Sequence, residues 1–95
     1  MSFELNRVQI EIQKLLVEWD PLGDRKHLIE DLNNYEIEAI DLSMAFGLVN
    51  KEWRAIEMVH SVIAGGFNLP LTIEDCSEYG HKIWTIYLSS TGDSV

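Results

Sequence analysis

The chain has one cysteine, two prolines and only seven Lys and Arg residues against sixteen Asp and Glu. Each shortage excludes something. A single thiol, Cys76, cannot close an intramolecular disulfide, so the fold must rest on packing; this agrees with a reducing compartment. The deficit of bases leaves a formal net charge of −9, which repels phosphate backbones and anionic leaflets over about 8 Å at physiological salt. The expected partners therefore include no nucleic acid and no membrane. No apolar run approaches the roughly 18 residues of a membrane helix, and Met1 to Asn6 hold no basic cluster ahead of an apolar core. The expected location is the cytoplasm.

What is present is an ordinary globular composition, 46% apolar and 24% charged. Ninety-five residues make one domain over 1–95, because two cores would each be too small for burial to offset chain entropy. Residues 1–50 carry ten acids and four bases, and residues 51–95 carry six and three. The N-terminal half has the stronger negative field.

Phe3 to Trp19 repeats apolar residues at helical spacing, with Leu5, Val8, Ile12, Leu15, Leu16 and Trp19 on one face. Asp20-Pro21 stops that helix, and Gly23 permits the turn after it. Residues 20–33 have apolar content for one or two helical turns and read as a connection. Asn33 and Glu36 form a capping-box pattern ahead of a second helix, Asn34 to Phe46, closed by Gly47. Its apolar residues fall on two opposite faces, Tyr35, Ala39, Leu42 and Phe46 against Ile37, Ile40 and Met44, so it is expected to be sandwiched. A third helix, Lys51 to Ala64, is capped by Asn50 and ended by Gly65-Gly66, with a narrow polar strip of Arg54, Glu57 and Ser61.

Beyond Gly66 the apolar period changes to two. Leu69, Leu71 and Ile73 share one face of a short strand that Pro70 marks as an edge. Ile83 to Leu88, rich in β-branched and aromatic residues, reads as its partner, joined through Asp75 to His81. The predicted fold is α+β: about three helices followed by a C-terminal antiparallel β-hairpin packed on them, with Ser89 to Val95 a frayed polar tail. Either Trp84, Ile86 and Leu88 or Ile83, Thr85 and Tyr87 should face the helices.

The possible metal ligands are His27, His60, His81 and Cys76, none in the close pairs that mark zinc sites, so neither metal nor cofactor is expected. Cys76 and His81 lie close enough in the hairpin link to meet, the minimal arrangement for an activated thiol, but two exposed loop residues explain them as well. Gly65-Gly66 follows a helix instead of opening one, the wrong order for an anion-binding loop. Glu30, Asp31, Glu36, Glu38 and Asp41 fall between Leu28 and Asn50, where no Lys or Arg occurs. They read either as a solvated face or as a docking surface for a basic protein.

Three helices then a hairpin is also the order of a winged helix-turn-helix domain. Its recognition helix would here expose Arg54, Glu57 and Ser61 within an anionic chain, a poor match to DNA. The segment VEWDPLG after an amphipathic helix, followed by YEIEAIDL opening another, resembles a family of small uncharacterised bacterial proteins that share a Trp-Asp-Pro motif. The resemblance covers the first half of the chain and implies no activity or catalytic residues. The functional expectation is a non-enzymatic cytoplasmic domain that binds another protein through Glu30, Asp31, Glu36, Glu38 and Asp41. One concrete form is an acidic immunity protein neutralising a basic toxin. The alternatives are a housekeeping or regulatory domain, with a homo-oligomer open, and, third, an enzyme.

Overall fold

Val8, Ile12 and Leu16 recur at the spacing that returns a helix to the same side, and all three are fully buried on α1, Phe3–Trp19. The computed structural model describes residues 3–29 and 32–91 of the chain. At the end of α1 the Asp20 amide still donates to the Leu16 carbonyl at 2.8 Å, but Asp20 itself turns left-handed at φ 50°. Pro21 follows and cannot extend the ladder. A 3-10 segment, Gly23–Leu28, makes the connection, with Gly23 supplying a second positive φ of 55°.

The second helix, α2, spans Glu36–Ala45 and tightens into a 3-10 turn at Phe46–Leu48. Tyr35, Ala39, Leu42 and Phe46 are buried along its inner side, whereas Ile37 and Met44 on the outer side are exposed. Ile40 on that side is half-buried, so among the described residues the outer face is largely uncovered and the expectation of a sandwiched helix is corrected. The third helix, α3, runs as Glu52–Val59 and continues into a wider π-helical turn, His60–Gly65. His60 Nε2 lies 2.8 Å from the Leu71 carbonyl and so ties this turn to the segment that follows it.

The C-terminal third departs from the sequence reading. Ile73–Thr91 is one long helix, α4, and among the described residues there is no strand. The fold is all-α, not α+β, and the hairpin and the winged-helix topology that needs one are both overturned. Two signals account for the helix. Thr72 and Asp75 form a reciprocal capping box: the Asp75 amide donates to Thr72 Oγ1 at 3.0 Å, and the Thr72 amide donates to Asp75 Oδ2 at 2.9 Å. Cys76, Gly80, Ile83, Trp84 and Tyr87 then follow helical spacing, with Cys76, Gly80, Ile83 and Trp84 all buried. Ser89, expected to begin a frayed tail, lies within α4; residues 92–95 lie outside the described residues.

Packing places α4 against both α1 and α3, while α2 packs on α1. Phe46 joins α2 to α4 through edge contacts with Trp84 and Tyr87, at ring separations of 5.5 and 5.6 Å. Trp19 at the end of α1 stacks on Tyr79 of α4 at 5.3 Å. No described helix is long and apolar enough to cross a membrane.

Gly80 sets how closely α3 and α4 approach. A Cβ placed there would stand 2.9 Å from Ile56 Cγ1 and 3.2 Å from Ile56 Cα, and that backbone carbon cannot swing aside. Gly80→Ala is expected to lower stability by about 1–3 kcal/mol through overpacking, despite the better helix propensity of alanine. Gly65→Ala, whose Cβ meets nothing within 4 Å, should be neutral or stabilise by up to about 1 kcal/mol. Urea unfolding of both variants checks this, and a Gly80→Ala midpoint at or above wild type would contradict the close approach. Trp84→Ala, which empties a buried aromatic site, should cost about 3–5 kcal/mol by the same measurement.

Candidate partner-binding surface

The orientation of α2 is fixed at its start by Tyr35. Asn33, Asn34 and Tyr35 are consecutive left-handed residues, with φ of 51°, 57° and 64°. Asparagine tolerates that conformation, but tyrosine adopts it only when its surroundings compensate a cost of order 1–3 kcal/mol. Here the surroundings do. The Tyr35 ring is buried and meets Phe67 edge-on at 6.2 Å. Its hydroxyl donates to Asp20 Oδ1 at 2.9 Å and accepts from the Leu22 amide at 3.1 Å. Gln13 Nε2 donates to the Asn34 carbonyl at 3.1 Å from the α1 side. Burial pushes the Tyr35 hydroxyl up to about 12; the Leu22 amide opposes the rise and the Asp20 carboxylate adds to it.

With its inner face pinned, α2 turns Ile37, Asp41 and Met44 outward, and Leu48 extends the line onto the 3-10 turn. Ile37 is 50% exposed, Met44 64% and Leu48 93%. The surface ridge is thus apolar with one carboxylate set into it. Of the described acids expected to share one docking face, Glu38 and Asp41 are three residues apart and neighbours on one flank of α2, whereas Glu36 stands away from them. Glu36 and Glu38 are two residues apart on the helix, so about 200° of rotation separates them onto opposite flanks, and both are half-buried. The Asn33 side-chain amide donates to Glu36, which engages that carboxylate in the turn before α2. Asp41 is exposed on the ridge. Glu30 and Asp31 lie outside the described residues.

Beside the ridge, α2 and α3 diverge from the turn at Val49 and leave a groove of about 430 Å³. Ala45 and Leu48 form one wall, and Arg54, Glu57, Met58 and Ser61 form the other. By helical spacing Asp41 lies one turn before Ala45 on the same flank of α2. Neither Asp41 nor Glu57 has an ion-pair partner among the described residues. Arg54 lies over the exposed Trp53 ring at 5.5 Å. The sequence showed Arg54, Glu57 and Ser61 as a polar strip, yet gave no sign that Leu48 and Met58 would stand across from one another.

The thiol and imidazole that the hairpin link brought within reach do not meet. Cys76 is buried in α4, and His81, five residues on and about 140° around the helix, is exposed with Nδ1 3.0 Å from Glu52 Oε2 of α3. Burial pushes the Cys76 thiol up to about 11, away from reactivity. His27 is exposed against the Asp24 carbonyl, and His60 is held by Leu71. No group of three His, Cys, Asp or Glu side chains among the described residues is placed to hold a metal ion.

Comparison with family models, with curated proteins and with solved structures finds no match.

The Tyr35 bridge generates a stability signature. The hydroxyl titrates near 10.0 in an unfolded chain and near 12 in the fold. Its contribution is therefore complete below about pH 10 and falls as pH rises toward 12, because only the unfolded chain releases the proton in that window. Cys76, raised from 9.0 to about 11, acts in the same direction from about pH 9. Tyr35→Phe should cost about 1–3 kcal/mol at neutral pH, since the buried Leu22 amide and the Asp20 carboxylate each lose a partner. Its stability should also decline less steeply than wild type between pH 10 and 12. Denaturant unfolding across that range measures both effects, and parallel curves would contradict the assignment.

Proposed function

We propose that this chain is a non-enzymatic cytoplasmic domain that binds a basic protein through the outward face of α2. The observation that carries the reading is the ridge of Ile37, Met44 and Leu48, left in water around the exposed carboxylate of Asp41, which has no ion-pair partner among the described residues. Contiguous exposed apolar side chains rimmed by charge are the usual mark of a docking surface, whereas scattered single ones are not. No Lys or Arg interrupts the sequence from Leu28 to Asn50, and the chain as a whole carries −9. Such a field speeds encounter with a cationic surface and disfavours anionic ones. One concrete form is an immunity protein that covers the cationic active site of a toxin such as a nuclease. A binding role also fits the groove, where Arg54, Glu57 and Ser61 stand in a row along one helix instead of converging on one point.

The test is capture of the partner from native lysate, followed by association kinetics at two salt concentrations. Asp41→Lys should slow association and flatten its salt dependence with little change in the fold, because Asp41 is exposed and contributes to the negative field that speeds encounter with a cationic surface. An on-rate that ignores salt and is the same in the variant would overturn the electrostatic reading.

A further inference from the structure

The groove between α2 and α3 is more specific than the acidic field around it. We propose that it receives the apolar stripe of a cationic amphipathic helix belonging to another protein; this rests on the protein-binding reading above. The walls are themselves helices, and no strand edge among the described residues offers a template for an extended peptide. The apolar part of the lining is Ala45, Leu48 and Val49 on one side and Met58 on the other. Leu48 is 93% exposed, so its contact area is almost wholly available to an incoming side chain. Methionines such as Met58 and the neighbouring Met44 adapt to the shape of whatever they meet.

Charge selects the occupant. In the groove itself Glu57 lacks an ion-pair partner among the described residues, and Arg54 keeps its charge while lying over Trp53. The selecting field is therefore that of the whole chain, −9, together with Asp41 on the adjoining flank of α2. An apolar stripe with Lys or Arg on its flanks pairs with Glu57 and is drawn in by the chain's negative field. A second copy of this chain would bring another −9 to the same place, so self-association is disfavoured.

The probe is a synthetic amphipathic peptide of about 18 residues, built of Leu along one face and Lys on the flanks, with a companion in which every Lys is Glu. Binding is followed by amide chemical shifts of the intact protein. The Lys peptide should move amides in 45–49 and 54–61, and the Glu peptide should bind at least about tenfold more weakly. Leu48→Asp should weaken the Lys peptide by about tenfold or more. That variant makes the protein more acidic, so attraction by net charge alone would tighten binding instead. Unchanged or tighter binding by Leu48→Asp overturns the proposal, as do shifts centred elsewhere, for example on Ile10, Lys14 and Val17 of α1. A dimer in the protein alone that Leu48→Asp abolishes would assign the groove to a second copy and also overturn it. If the groove fails these tests while a captured partner still associates with a salt-dependent rate through Asp41, the binding function stands and only its occupant is wrong.

Discussion

The contact of Gly80 with Ile56 is the constraint on which the arrangement of helices depends. With no side chain at Gly80, α4 approaches the backbone of α3 closely enough for Cys76, Ile83 and Trp84 to be buried among Val59, Ile63 and their neighbours. The consequence for α3 is directional. Its Ile56 and Glu52 flank is committed to α4, through Gly80 and the Glu52–His81 pair. The opposite flank, with Met58, Arg54 and Ser61, is left to face α2 across open space. The same close approach that completes the core thereby creates the groove.

The N-terminal half holds together by a different device. Tyr35 connects the end of α1 to the start of α2 through one hydroxyl, and the left-handed backbone at Asn33, Asn34 and Tyr35 is retained because that connection compensates it. Asp20, which on sequence alone is only a helix stop before proline, serves as the acceptor of this bridge. Lys26 adds a partly exposed contact to its other oxygen at 3.4 Å, which contributes little by comparison. Once the inner side of α2 is fixed in this way, no element among the described residues covers Ile37 and Met44 on its outer side.

Much of the first two-thirds was legible because helix ends are written locally. Asp20-Pro21 and the apolar periods of α1 and α3 depend on neighbours within a turn or two; Gly47, expected to close the second helix, instead lies inside the 3-10 turn Phe46–Leu48 that prolongs it. Residues 69–91 were misread for equally local reasons. Leu69, Leu71 and Ile73 alternate by chance across a loop and a helix start, and Ile83 to Leu88 are residues whose preference for strands is overridden by packing. Gly80 looked like a loop residue when it marks a close helix crossing. The Thr72-x-x-Asp75 capping box was the signal that could have identified α4. The acidic surface was only partly legible. Composition identifies an anionic half, but which acids share a face follows from the rotation of α2, and that is set by Tyr35. The two apolar faces of α2 could not be ranked from sequence, since only the tertiary fold decides which of them is covered.

Everything in this account, including the groove, requires residues 73–91 to form one helix seated on α1 and α3. The most direct measurement is the backbone NMR of the intact protein. Continuous helical Cα shifts and sequential amide contacts from Ile73 to Thr91, with slow exchange at the amides of Ile83 and Trp84, are the predicted result. Cross-strand contacts between 69–73 and 83–88, or rapid exchange through the middle of this segment, would contradict it.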